Sequence, residues 1–253
     1  MAIIKIRKSG QGTFDICPAQ FKYQYILDLP SDSGIEAEIG TFAHDAYDRW
    51  YDKLDLDILL ELDGDNELLW SYMRNHLPYN TQFDFLFDNF AQFHLGLWNS
   101  YAEEDKHLFF PIMKEVKMTT DVLWDINGYE IVLSGTADAV FRQEEGYALI
   151  DYKTGRFKPW MLSKLRRDNV MYTYLLEKLH SIPSEDVKSG CLFTRYPVDD
   201  PRQFPFFHKP KPATVRAWNN SLNKILTAIK EDNFPRKRGI MCQYCNYPEM
   251  CML

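Results

Sequence analysis

Two runs near the middle of the chain, Tyr129 to Phe141 and Tyr147 to Tyr152, are rich in β-branched and aromatic residues, and the charged, glycine-ended Arg142-Gln-Glu-Glu-Gly146 lies between them. This pattern predicts a β-hairpin. The stretch Tyr147-Ala-Leu-Ile is apolar without alternation, so the second strand is expected to be buried on both faces. Alternate side chains of a strand share a face, which puts Asp151 and Lys153 on one side and Tyr152 in the opposite layer. Asp138 lies at a similar distance from the turn and is expected close to Asp151.

Before the hairpin, Ile3 to Ile6 reads as a short strand, Ser9 to Thr13 as a loop, and Phe14 to Leu27 as a helix with Pro18 in its first turn. Cys17 then falls at or near a helix N-terminus. Residues 34 to 53 carry Ile39, Phe42, Ala43, Ala46, Tyr47 and Trp50 at helical spacing, with His44 beside that stripe. Leu54 to Phe110 is helical and aromatic, with Phe83, Phe85, Phe87, Phe90, Phe93 and Trp98 expected to pack as a core rather than to stack on bases. After the hairpin the pattern predicts a helix from about Met161 to His180, a strand from Ser189 to Tyr196 with Cys191 buried, and a helix from about Thr214 to Asp232. The expected organisation is one α/β domain over residues 1–253, with a helical subdomain at 54–110 and a tail at 233–253. No internal repeat is visible.

Composition supports a large core: 253 residues, 45% apolar and 15% aromatic. No apolar run is long enough to span a bilayer and the N-terminus lacks the apolar stretch of a signal peptide, so a cytoplasmic protein without membrane contact is expected. A net charge of -7 argues against nonspecific coating of nucleic acid, but the charge is uneven. Thirteen acids stand against Arg49 and Lys53 between Asp28 and Glu67, whereas Lys153 to Asp168 holds six bases and one acid. Arg156, Lys158, Lys164 and Arg167 in that second stretch are the candidate contacts to a polyanion.

Two carboxylates held beside one ammonium at the end of a buried hairpin are costly unless a cation shares them, and Mg²⁺ or Mn²⁺ suits oxygen ligands. Lys153 would then orient water or stabilise charge on a phosphate. A second constellation is Cys242, Cys245 and Cys251, three thiols in a segment too short and polar to form a core. Cys17 completes four ligands if the chain ends meet. Zinc and an iron–sulfur cluster both fit such a set.

Taken in order, Gly40-Thr-Phe-Ala-His44, Gly135-Thr-Ala-Asp138, Ile150-Asp151-Tyr-Lys153-Thr-Gly155 and the split pattern Cys17-Pro with Cys242, Cys245 and Cys251 resemble the RecB-like branch of the PD-(D/E)xK nucleases in its iron–sulfur form. The similarity is to the RecB-like exonucleases of CRISPR adaptation modules and to the AddB nuclease subunit. It implies a restriction-endonuclease-like α/β core with a central mixed sheet flanked by helices, and a DNA exonuclease acting on single strands or ends. It further implies that His44, Asp138, Asp151 and the Tyr152 carbonyl hold Mg²⁺ or Mn²⁺, that Lys153 assists attack by water on a phosphodiester, and that the four cysteines hold a structural 4Fe-4S cluster. Tyr172 matches a helical tyrosine of the family, but Asp168 or Asn169 stands where the family has glutamine. CRISPR adaptation or recombination proteins are the implied partners. A catalytically idle DNA-binding or scaffold subunit, a zinc-stabilised module and a site-specific endonuclease are the competing expectations. The first of these expects a damaged site, yet His44, Asp138, Asp151 and Lys153 are all present.

Overall fold

The computed structural model describes residues 2–31, 34–79 and 82–251. The chain opens with β1 (Ala2–Ile6), α1 (Lys8–Ile16) and α2 (Pro18–Phe21), the last running on into a π-helical turn, Lys22–Ile26. Next come α3 (Ile35–Tyr51), α4 (Leu56–Glu61), α5 (Asn66–Asn75) and α6 (Asp84–Ser100). Then follow β2 (Pro111–Thr119), β3 (Trp124–Ile126), β4 (Tyr129–Arg142) and β5 (Tyr147–Lys153). The chain continues with α7 (Leu162–His180), β6 (Val187–Phe193), β7 (Phe207–His208) and α8 (Pro212–Glu231). Among the described residues no helix is long and apolar enough to cross a membrane.

The mixed sheet runs β1-β4-β5-β6-β7, with β2 and β3 also paired to β4. β4, at 14 residues, is its spine: the first half takes β1 in parallel and β3 antiparallel, the second half β2 and β5. β5 and β6 are parallel, so α7 is the crossover between them. On one face α7 and α8 bury Met171, Leu175 and Ile225 against Leu133, Val140 and Leu149. On the other, α3, α5 and α6 bury Trp50, Phe87, Phe90 and Trp98 against Ala139, Phe141, Ile150 and Tyr152. The period-2 alternation of β5 thus sends Tyr152 into the aromatic layer, as its pattern predicts.

Three local expectations are corrected. Ser9 to Thr13 is helical within α1, despite Gly10 and Gly12, because tertiary packing outweighs the low propensity of glycine. A Cβ on Gly12 would lie 2.9 Å from Lys164 Cε, so the end of the Lys164 side chain from α7 lies over α1 at this glycine. The helix expected from Phe14 is broken at Cys17, whose φ of -154° and ψ of 110° are extended, and restarts at Pro18 with Cys17 as its N-cap residue. Phe85 and Phe42 are 38% and 43% exposed and so lie outside the aromatic core.

Candidate active site and cysteine pocket

The β4–β5 ladder ends at the pair Ala139 and Ile150, which places Asp138 opposite Asp151 one step further on. Freed from the ladder there, the N–H of Tyr152 donates to Asp138 Oδ2 at 2.6 Å. On the other side of β4, the pairs Lys114–Ala139 and Val116–Ala137 bracket Glu115, whose φ of 43° is a left-handed conformation rare for a non-glycine residue. α3 supplies His44, whose Nδ1 lies 3.3 Å from Glu115 Oε1 and 3.5 Å from Asp138 Oδ1. Among the described residues, His44, Glu115 and Asp138 are the one set of three ligating side chains whose atoms fall within 4.8 Å of one another. Burial pulls the His44 imidazolium down, but its hydrogen bonds to Asp138 and Glu115 and the Asp138 charge raise its pKa to about 9.

Asp151, 2% exposed, lies between two ammonium groups. Lys153 Nζ is 2.5 Å from Oδ2 and Lys8 Nζ is 2.8 Å from Oδ1, while the buried Cys191 thiol donates to Oδ2 at 3.4 Å. Burial alone would raise the carboxyl pKa; the two ammonium charges win and hold it below the usual range. The same pairing outweighs burial for Lys8 and Lys153, whose pKa values stand above the ordinary lysine value. Lys153 Nζ also donates to the Tyr152 carbonyl at 3.2 Å.

From α7, Tyr172 supports the site from below. Its ring lies 4.6 Å from Lys8 Nζ and directly under Gly135, where a Cβ would come within 2.8 Å of Tyr172 Cε1. Asp168, at the position where the resemblance expects glutamine, is buried and takes Lys164 Nζ on Oδ2 at 2.5 Å. Its Oδ1 has no hydrogen-bond partner among the described residues, and burial raises its pKa. Asn169 turns the other way, to the Gly190 carbonyl at 3.5 Å.

One cavity of about 630 Å³ takes in His44, Glu115, Asp138, Asp151, Lys153 and Tyr172. Its positive wall comes from Lys5, Arg7, Lys8 and Lys117, not from the four bases singled out in the sequence. Arg156 and Lys158 are exposed in the loop after β5, Lys164 is paired to Asp168, and Arg167 is paired to Asp15 at 2.5 Å. Glu115 and Lys8 were missed by sequence reasoning.

At the far end of α1, Cys17, Cys242, Cys245 and Cys251 line a second cavity of about 380 Å³, together with Arg236, Lys237 and Arg238. All four thiols are free. Hydrogen bonds tie the ends of the chain together there: Tyr23 Oη donates to the Met250 carbonyl at 3.2 Å, Tyr247 Oη to the Leu29 carbonyl at 3.0 Å, and Lys237 Nζ to the Asp15 carbonyl at 3.0 Å. The backbone N–H groups of Gly239 and Tyr247 donate to the sulfurs of Cys242 and Cys245, each at 3.4 Å. No three of these sulfurs lie within 4.8 Å of one another.

The mixed sheet thus gathers a histidine, three carboxylates and two lysines at the end of one hairpin, a donor set that suits an oxygen-preferring divalent ion. The chain belongs to the PD-(D/E)XK nuclease superfamily, whose profile matches residues 9–252, and it has the corresponding restriction-endonuclease-like α/β fold. It is therefore a nuclease of a superfamily that uses divalent metal ions. Two solved structures are similar to it. One is a "Putative exonuclease" from Eubacterium rectale, 10% identical with a TM-score of 0.47, the match covering 95% of this chain and 86% of that one. The other is SSO0001, 15% identical with a TM-score of 0.38, covering 86% of this chain and 96% of that one. No curated protein matches the sequence.

Proposed function

We propose that this protein is a RecB-like DNA exonuclease that uses Mg²⁺ or Mn²⁺ to hydrolyse single strands or free ends, and that a structural 4Fe-4S cluster joins its two termini. The observation that carries the reading is the meeting of His44, Glu115 and Asp138 beside the Asp151–Lys153 pair in one cavity. Hard carboxylate oxygens with one imidazole suit these ions, so His44, Glu115, Asp138, Asp151 and the Tyr152 carbonyl are the residues that would hold them. Such an ion supplies Lewis acidity and offsets charge on the phosphate. In the hydrolysis itself the oxygen of water bonds to phosphorus as the bond to the leaving sugar oxygen breaks; the water gives up a proton to solvent and the sugar oxygen takes one from it. Lys153, anchored by Asp151, is placed to stabilise the charge that builds on the phosphoryl oxygens.

The N–H groups aimed at two sulfurs and the three basic residues in the wall suit an anionic metal–thiolate group. The choice of a cluster over zinc rests on the resemblance of the split cysteine pattern. Ligands from both ends of the chain suit a staple rather than an electron relay. The split cysteine pattern is also what points to CRISPR adaptation or recombination proteins as partners.

The deciding experiment is degradation of end-labelled single-stranded DNA by anaerobically purified protein with Mn²⁺ or Mg²⁺, beside Asp151→Ala and beside a closed circular substrate. Metal-dependent loss of label that vanishes in the variant and spares the circle supports the exonuclease. Cutting of the circle points to an endonuclease. A folded wild type inert on every substrate overturns the nuclease reading in favour of a DNA-holding subunit.

A further inference from the structure

We propose that Lys8 is a second cationic residue of the hydrolytic site: it neutralises Asp151 while no metal is bound, and contacts a non-bridging oxygen of the scissile phosphate when Asp151 turns to a divalent ion. This rests on the nuclease reading above. The motivating observation is that one buried carboxylate carries two ammonium groups, one on each oxygen, Lys8 on Oδ1 and Lys153 on Oδ2. A single lysine is enough to balance Asp151, so the second needs another purpose. Of the cationic side chains that line the cavity, Lys8 and Lys153 are the two held on Asp151 itself, while Lys5, Arg7 and Lys117 stand along the wall. Once Asp151 turns to a divalent ion, the ammonium it releases from Oδ1 is free to meet a phosphate oxygen.

Lys8 is also positioned to stay when Asp151 lets go. It is the first residue of α1, a helix packed on α7 through Gly12 and Lys164, and its ammonium lies 4.6 Å from the face of Tyr172. Its side chain keeps 20% exposure and lines the cavity, with Lys5 and Arg7 on the same wall for neighbouring phosphates.

The test uses the full chain as Lys8→Gln and Lys8→Arg, with thermal melting to show that each folds. In Mn²⁺ titration calorimetry without DNA, Lys8→Gln should bind about 10-fold more tightly than wild type, because the cation competing for Asp151 is gone. At saturating Mn²⁺ its kcat on end-labelled single-stranded DNA should fall on the order of 100-fold. Lys8→Arg, which keeps the charge and most of the reach, should match the wild-type Mn²⁺ affinity and retain part of the rate. A purely structural lysine would lower melting temperature and Mn²⁺ affinity together. Mn²⁺ affinity in Lys8→Gln at or below wild type, or a kcat within twofold of it, overturns the proposal. A wild type that hydrolyses no DNA takes down the nuclease reading as well, whereas an active wild type with an unaffected Lys8→Gln takes down this proposal alone.

Discussion

Asp138 completes the backbone pairing of the strand it faces: its Oδ2 takes the N–H of Tyr152 at 2.6 Å, where the ladder between β4 and β5 has opened. Its other oxygen looks toward His44 at 3.5 Å. One side chain therefore serves both the fold and the candidate chemistry, and substitutions should separate the two. Asp138→Asn keeps a carbonyl oxygen for the N–H and loses the charge. It should melt close to the wild type but bind Mn²⁺ weakly and lose hydrolysis. Asp138→Ala leaves a buried N–H unsatisfied, at a cost of about 1–3 kcal/mol in chemical denaturation. Equal stability of the two variants would show that the Tyr152 contact contributes nothing to the fold.

Glu115 allows a similar separation of strain from ligation. At a φ of 43° a glutamate side chain is disfavoured and glycine is not. Glu115→Gly should therefore raise the stability of the metal-free protein relative to Glu115→Gln. Both should weaken Mn²⁺ binding, by about 10- to 100-fold in calorimetry, the scale seen when a partner that tunes a metal site is lost. If Glu115→Gly binds Mn²⁺ as the wild type does, Glu115 is not a ligand.

The cysteine pocket makes a prediction that needs no DNA. Anaerobic protein should contain about four irons per chain, with the broad visible absorption of a cluster, and Cys17→Ser or Cys251→Ser should lower both the iron content and the melting temperature. Cys191→Ser should leave the iron unchanged, because that thiol faces Asp151. Stoichiometric zinc in place of iron would reassign the pocket.

What could be read in advance was whatever local periodicity controls. The length of the loop before β5 set the hairpin register, so the facing of Asp138 and Asp151 was legible, and the unbroken apolar run Tyr147 to Ile150 made the burial of the strand legible. The helical stripe from Ala43 to Trp50 likewise placed His44 beside a core. Glu115 and Lys8 were not legible, for two different reasons. The aim of Glu115 depends on a left-handed backbone inside β2 and on pairing with β4, neither of which the residues around it encode. Lys8 opens a helix whose two glycines read as a loop, and its place next to Asp151 exists only because α1 packs on α7. The basic run after β5 misled for a related reason: two of its charges are taken up by ion pairs, to Asp168 and Asp15.

The aromatic layer beneath the site contains a buried histidine whose protonation state the hydrogen bonds determine. His94 is fully buried, and its Nδ1 lies 2.8 Å from the Phe90 carbonyl, an acceptor only, so Nδ1 carries the proton. Nε2 then accepts from Tyr51 Oη at 2.6 Å, and Tyr51 in turn accepts from Tyr152 Oη at 2.7 Å. The imidazole is neutral: burial lowers its pKa from 6.5 to about 3, against a smaller opposing effect of the Phe90 hydrogen bond. Above pH 6.5 neither folded nor unfolded chain binds this proton. Between 6.5 and about 3 the unfolded chain binds it and the folded one does not, so stability falls as the pH falls, by roughly 1.4 kcal/mol per unit from this group alone. His94→Gln keeps hydrogen-bonding atoms but cannot titrate. At pH 7.5 it should be the less stable protein, by about 1–3 kcal/mol in urea denaturation, and the two stabilities should converge near about pH 5. Acid effects at Asp151 are common to both proteins and cancel in the difference. A gap that stays constant from pH 7.5 to pH 4.5 would mean that His94 is not held neutral, and that the hydrogen-bond order from Tyr152 through Tyr51 to His94 runs otherwise.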